Sequence, residues 1–234
     1  MNKKEKIKFI FDYLIKLFPN PKTELNYYSP FQLMIAVILS AQTTDKQVNK
    51  VTDKLFKKIN NPLDIVKFGE KELLEQIKSI GLYKGKTKNI FSLSKIMISE
   101  DYCLFFNQLK TSKSVYKLFK KYGYYISNDW KELKRLPGIG EKTAKVIVHV
   151  LYNVPVIAVD THVHRISNRL GLVKTKTPLQ TSKLLEKNID NYYKQYLHHC
   201  MILFGRYYCG ARNPKCEECK LKKICNYYKK NKYG

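Results

Sequence analysis

Four cysteines, Cys209, Cys216, Cys219 and Cys225, follow the spacing C-x6-C-x2-C-x5-C near the carboxy end of the sequence. Thiols this close together are placed to be tied into one centre, and whatever ties them dictates how the surrounding segment folds. Thiolates are soft ligands, and a set of four sulfurs selects zinc or an iron–sulfur cluster. Lys215, Lys220, Lys222 and Lys223 lie among them, and nearby cations favour the deprotonated, ligating form. Zinc ribbons use two C-x2-C pairs, whereas here only Cys216 and Cys219 form one. The spacing therefore leans toward a single [4Fe–4S] centre wrapped by one loop. Zinc is the competing metal, and a pair of disulfides is the third reading.

With 234 residues and 44% hydrophobic content, the chain has material for a real core and does not read as disordered. No apolar stretch approaches the ~20 residues of a membrane span. The lysine-rich start, Met1 to Lys8, leads into a segment, Phe9 to Phe18, that is broken by Asp12 and Lys16 and lacks a small-residue cleavage site. Neither a membrane protein nor a signal peptide is expected. The protein is expected to be soluble and intracellular, cytoplasmic and nucleoid-associated in a bacterium or nuclear in a eukaryote. A net charge of +25 points to a polyanion, and attraction to a phosphate backbone is its sequence-independent form. Of 44 basic residues only Arg135, Arg165, Arg169, Arg206 and Arg212 are arginine. Part of the excess is what codon bias and a solvated helix surface would give.

Helices are expected throughout, and the fold class is all-α. Ser29-Pro30 is a helix start, a capping hydroxyl followed by proline at the first position. The run Phe31 to Leu39 is apolar almost all round, as a central buried helix would be. It breaks at the polar loop from Ser40 to Asp45. Val48, Val51, Thr52, Leu55, Phe56 and Ile59 then recur at helical spacing. Further helices are expected near 62–68, 70–79, 86–98 and 112–122, and no segment alternates with period two.

Residues 129–151 form the second informative stretch. Asp129-Trp130-Lys131-Glu132 matches a capping box and opens a short helix ending at Leu136. Leu136-Pro137-Gly138-Ile139-Gly140 follows, then a helix with Ala144, Ile147, Val148 and Leu151 on one face. Helix, glycine turn, helix resembles the helix-hairpin-helix motif of DNA-repair proteins. There, glycines let backbone N–H groups approach a phosphate, and the second helix adds its positive end. Such contacts read backbone rather than sequence. Lys142 begins that second helix, where the dipole, basic neighbours and partial burial would together favour a neutral, nucleophilic amine. Asp160 sits in Ala158-Val159-Asp160-Thr161-His162, where an apolar run gives way to a new helix. Either residue alone would be a surface charge or a cap.

Taken together the sequence resembles the endonuclease III family. The matching text includes Thr23-Glu24-Leu25-Asn26, Ser29-Pro30-Phe31, Leu39-Ser40-Ala41-Gln42, Ile80-Gly81-Leu82-Tyr83, Leu136 to Ala144, Val159-Asp160-Thr161-His162, Gly205-Arg206-Tyr207 and the four cysteines. The resemblance implies a two-domain helix-hairpin-helix DNA glycosylase fold, with a [4Fe–4S] cluster loop at the carboxy end held by Cys209, Cys216, Cys219 and Cys225. Residues 1–22 plus 155–234 would form a discontinuous cluster domain, and 23–154 a six-helix domain carrying the hairpin. The lesion pocket would lie in the cleft between them, with Lys142 and Asp160 facing each other. Gln42 and Leu82 would fill the gap left by an extruded nucleotide, and Gly138 and Gly140 would meet DNA backbone. The segment from Ser99 to Tyr125, with Cys103, Lys120 and Lys121, is longer than the family pattern and is expected to extend a surface connection. Cys200 lies outside the cluster pattern and is expected to be a buried apolar residue.

The implied function is that of a bifunctional DNA glycosylase and abasic-site lyase. It would act as a monomer on double-stranded DNA containing oxidised pyrimidines or abasic sites, with no membrane partner. A mismatch-specific adenine glycosylase shares the scaffold, but it usually lacks the lysine and carries an added carboxy-terminal domain, whereas this sequence stops at Gly234. A non-catalytic helix-hairpin-helix DNA-binding protein would need neither Lys142 nor Asp160.

Overall fold

The computed structural model describes residues 1–108 and 112–233, and among them all regular structure is helical. The helices are α1 (Lys3–Leu17), α2 (Pro30–Leu39), α3 (Asp45–Leu55), α4 (Pro62–Phe68), α5 (Glu70–Ile77), α6 (Tyr83–Met97), α7 (Glu100–Gln108) and α8 (Lys113–Tyr122). They continue with α9 (Trp130–Leu133), α10 (Glu141–Tyr152), α11 (Thr161–Arg169), α12 (Pro178–Asn188) and α13 (Asn191–Tyr207), and after a 3-10 turn (Lys222–Ile224) with α14 (Asn226–Tyr233). Two compact units divide the chain: Glu24–Val154, and Met1–Thr23 with Pro155–Gly234. No helix among the described residues is long and apolar enough to cross a membrane.

In the unit Glu24–Val154, α2 is the axis. The Ser29 hydroxyl accepts from Gln32 N at 3.2 Å, Pro30 occupies the first turn, and all ten residues of the helix are buried. An apolar helix of this kind must be covered on every side, and α3, α6 and α10 pack against it. The buried Gln32 side chain donates to Phe56 O and Ile59 O at 3.1 and 2.7 Å. It thereby satisfies the carbonyls where α3 ends and the chain turns toward α4.

The long segment after Ser99 is more than a surface connection. Helices α7 and α8 carry an aromatic cluster of their own, in which Phe106, Val115 and Tyr125 are buried with Tyr102, Phe119 and Tyr152 against them. Phe119 and Tyr125 stack at 4.1 Å and Phe106 and Tyr125 at 5.1 Å. Tyr152, the last residue of α10, ties the cluster to the hairpin helix and donates its hydroxyl to Ile126 O at 2.5 Å. Residues 109–111 of this segment lie outside the described residues.

The discontinuous unit is built on α13, which packs against α1 and α11. Ile10, Phe11, Leu14, Ile166, Leu197, Met201 and Phe204 are buried there together with Cys200, and burial pushes the Cys200 thiol up to about 12. A Cβ on Gly205 would stand 2.9 Å from Ile166 Cδ1 and from His162 Nδ1. Only glycine lets α13 approach α11 this closely.

Candidate active site and thiol centre

The hairpin turn is set by its first glycine. Gly138 has φ +76°, a left-handed conformation, and a Cβ there would stand 2.9 Å from Asn89 Cβ on α6. Gly140 differs: its backbone is ordinary, it precedes α10, and a Cβ would meet nothing within 4 Å. Nothing inside the protein requires glycine at that point. No side chain caps α10, so the N–H groups of its first turn are offered outward. The expected capping box at Asp129 does not form. Its carboxylate accepts from Lys131 N at 2.8 Å, Glu132 turns to Arg135 at 3.4 Å, and Asp129 N–H goes instead to the Ser127 hydroxyl. Both groups that the box would pair are thus engaged elsewhere.

Lys142, in the first turn of α10, is exposed. The partial burial expected of it is not found, because Ala144, Ile147 and Val148 turn the opposite face of the helix inward. The buried lysine is Lys145, 2% exposed. Its ammonium lies 2.8 Å from Glu141 Oε1 and 4.8 Å from the centroid of the Trp130 ring. Asp160 belongs to the other unit and caps α11, its carboxylate accepting from Val163 N at 2.8 Å. One oxygen is so engaged on a half-buried side chain, which fixes the carboxylate at a helix start.

Four residues other than glycine have positive φ among the described residues: Gln42, Leu82, Asn153 and Asn213. Asparagine tolerates this region, whereas glutamine and leucine do so at a cost of about 1–3 kcal/mol. Gln42 (φ +57°) and Leu82 (φ +59°) are thus the two strained positions, and both are exposed, Leu82 by 63%. A Cβ on Gly81 would lie 3.4 Å from Gln42 O, so the two loops run side by side. Sequence reasoning missed the residue that joins them. Lys86, 6% exposed, donates to Leu39 O at 2.8 Å, Ala41 O at 2.6 Å and Thr43 Oγ1 at 3.4 Å. Its signal was present: Lys86 lies in register with Ile90, Leu93 and Met97 on the apolar face of α6.

The four clustered thiols line one pocket, with Leu170, Phe204 and Tyr208 beside them and no carboxylate or imidazole. As placed, no group of three or more ligand side chains among the described residues stands close enough to hold a metal ion. The donor set nevertheless fits a soft metal centre. Burial first, and then the neighbouring sulfurs, push the Cys216 and Cys219 thiols up, and a cationic centre between them would relieve both effects. Helix α11 holds this loop. Arg169 donates to Gly210 O at 2.6 Å, Ala211 O at 3.0 Å and Cys209 Sγ at 3.4 Å, while Arg165 donates to Cys209 O at 2.9 Å. The Cys225 thiol in turn donates to Arg169 O at 3.3 Å.

A hairpin with an unexplained glycine, an exposed lysine behind it and an all-thiol pocket define a helix-hairpin-helix repair scaffold. The sequence matches the family of HhH-GPD superfamily base excision DNA repair proteins over residues 35–191, and the chain belongs to it. Endonuclease III of Rickettsia conorii is 44% identical over 219 residues, 94% of each chain. Endonuclease III of Escherichia coli is 37% identical, over 91% of this chain and 90% of that one. A solved structure of a trapped endonuclease III–DNA covalent intermediate superposes with a TM-score of 0.81 at 40% identity, covering 99% of both chains.

Proposed function

We propose that the chain is a bifunctional DNA glycosylase and abasic-site lyase of base excision repair, acting on oxidised pyrimidines in duplex DNA. The observation that carries this is Lys142, an exposed amine two residues past Gly140 at an uncapped helix start. Backbone N–H groups and the positive end of α10 attract a phosphate, which brings the neighbouring sugar to the amine. Lys142 Nζ attacks C1′ and the bond to the base breaks, the base leaving with the electron pair. Loss of a proton from the nitrogen and ring opening give a Schiff base. Removal of a proton from C2′ then expels the 3′ phosphate by β-elimination.

Asp160 assists by accepting the proton released by the attacking amine or by stabilising positive charge on the sugar. Gln42 and Leu82 occupy the space of the extruded nucleotide, and strained backbone at both is what a functional position would retain. Residues 1–22 with 155–234 act as the cluster domain and 23–154 as the hairpin domain. Cys209, Cys216, Cys219 and Cys225 would hold a [4Fe–4S] cluster, whose contribution is to staple the carboxy-terminal loop. Every chemical step above is served by a lysine and a carboxylate. The protein works as a monomer on DNA.

The test is borohydride trapping on an oligonucleotide duplex containing one thymine glycol. A covalent protein–DNA adduct is the expected result. Base release without any adduct would point instead to a monofunctional glycosylase, and binding without release to a non-catalytic module.

A further inference from the structure

We propose that Lys86 is a positioning residue that locks the Gln42 and Leu82 loops into one unit, so that both side chains enter the DNA together. The inference rests on the role given above to Gln42 and Leu82. Leu82 directly precedes α6, and the Lys86 backbone N–H donates to Leu82 O at 3.1 Å. From the same residue the side chain reaches the other loop, bonding Ala41 O, the carbonyl adjoining Gln42, at 2.6 Å. One residue therefore grips both strained positions, through its backbone on one side and its ammonium on the other.

The chemistry suits lysine. An ammonium has three protons and no acceptor, and Lys86 faces three acceptors, Leu39 O, Ala41 O and Thr43 Oγ1. Leu39 ends α2, whose last carbonyls lack helical partners and present the negative end of the dipole. A buried cation is tolerated there because its ammonium meets three oxygen acceptors. A residue that only capped α2 would need the Leu39 contact alone. The Ala41 and Thr43 contacts lie beyond the helix, on either side of Gln42, and hold that residue in its left-handed conformation. Gln47 Nε2 donates to Ser79 Oγ at 3.1 Å and adds a second, exposed tie between the same two regions.

The test has one arm that needs no activity. Lys86→Met keeps about the length of the aliphatic stem and removes the ammonium with its donors. In the free protein, amide exchange at residues 41–44 is expected to quicken by at least about tenfold while residues 33–38 of α2 stay protected. In the second arm, excision of thymine glycol from duplex DNA is expected to slow by ten- to a hundredfold, the scale of a misplaced group. β-Elimination at a preformed abasic site should slow by less than about threefold. Adding Lys86→Met to Gln42→Ala should cost less than about twofold more, because the backbone bond to Leu82 O survives the substitution and the lost ammonium contacts act through the Gln42 side chain. Unchanged exchange at 41–44, or additive losses, overturns the inference while leaving the glycosylase reading standing. A silent Gln42→Ala in an active enzyme overturns the wedge reading and this inference with it. If Lys86→Met does not fold, Thr43→Val withdraws only the third acceptor and should give the same selective loss in smaller size, about two- to fivefold. Equal losses on both substrates would refute the proposal.

Discussion

Lys142 and Lys145 stand one turn apart on α10 and meet opposite environments, Lys142 exposed and Lys145 2% exposed between Glu141 and Trp130. Burial singles out the structural amine, and exposure the one available to a substrate. Lys142→Gln should abolish the borohydride-trapped adduct and strand cleavage while leaving DNA affinity within about tenfold, since phosphate contacts are spread over many groups. Lys145→Met should leave trapping per folded molecule intact and lower stability by about 2–4 kcal/mol, because the half-buried Glu141 loses its closest cation. Denaturant unfolding beside the trapping gel separates the two, and adduct formation by Lys142→Gln would mean another amine attacks.

Asp160 has a structural duty as well as a proposed chemical one, and two substitutions divide them. Asparagine caps helices about as well as aspartate, so Asp160→Asn should unfold within about 0.5 kcal/mol of the parent. Its rate of base release should still drop by two to four orders of magnitude, the usual scale for a positioned acid–base or electrostatic group. Asp160→Ala should lose the same rate and, in addition, about 1 kcal/mol of stability with the bond to Val163 N. Normal turnover by Asp160→Asn would leave Asp160 as a helix cap alone.

These positions also mark how far the sequence could be read. Helix α2 was legible from the apolar run after Ser29-Pro30, and the ranges expected for α4 and α8, 62–68 and 112–122, fall within a residue of those found. Helices α7, α12 and α13 were not delimited, since their apolar positions are diluted by tyrosine and lysine and become one-sided only once packed. Lys142, Asp160 and the cysteines stood out as candidates through motif and spacing. Lys86 and Lys145 did not, because a charge on a buried helix face has no meaning until its partners are brought in from residues 39–43, or from Trp130 and Glu141. The failed capping box at Asp129 has the same lesson in reverse: Ser127, just upstream, takes the N–H that the motif assigns to Glu132.

The strain at Leu82 makes a prediction in two directions. Glycine adopts φ +59° freely, so Leu82→Gly should raise stability by about 1 kcal/mol. The same change removes the proposed apolar wedge and should slow excision from duplex DNA more than it slows lyase action on an abasic site. Gln42→Ala should share the kinetic selectivity without the gain in stability. Thermal unfolding and the two rate assays read these out, and a Leu82→Gly protein that is less stable, or equally slowed on both substrates, would contradict the assignment.

Burial pushes the Tyr102 and Tyr152 phenols well above the usual value of 10.0. A group whose pKa is raised by folding lends stability that is complete below its unfolded value and is lost as pH climbs through the folded one. The α7–α8 cluster should therefore loosen only above about pH 10. In a phenolate absorbance titration near ~295 nm, a late fraction should ionise together with unfolding. Replacement of both residues by phenylalanine should remove that late step. Ionisation of all tyrosines in one early phase would place Tyr102 and Tyr152 in contact with solvent.

The thiol pocket carries the last prediction. Four sulfurs with Arg169 and Arg165 braced on the Cys209 to Ala211 segment would give a yellow-brown protein with a broad band near ~400 nm if they hold a [4Fe–4S] cluster. The loop is short and rich in lysine, with little apolar surface of its own, so removal of the metal should disorder it. Cys216→Ser should accordingly weaken the carboxy-terminal region and DNA affinity before it touches chemistry. Arg169→Gln, which leaves every sulfur in place, should show a milder loss of the same kind, read as faster exchange at residues 209–211. The band and metal analysis are measured together. A colourless, fully active protein with one zinc per chain would refute the cluster, yet it would leave Lys142 and its reaction untouched, because no step of that chemistry draws on the metal.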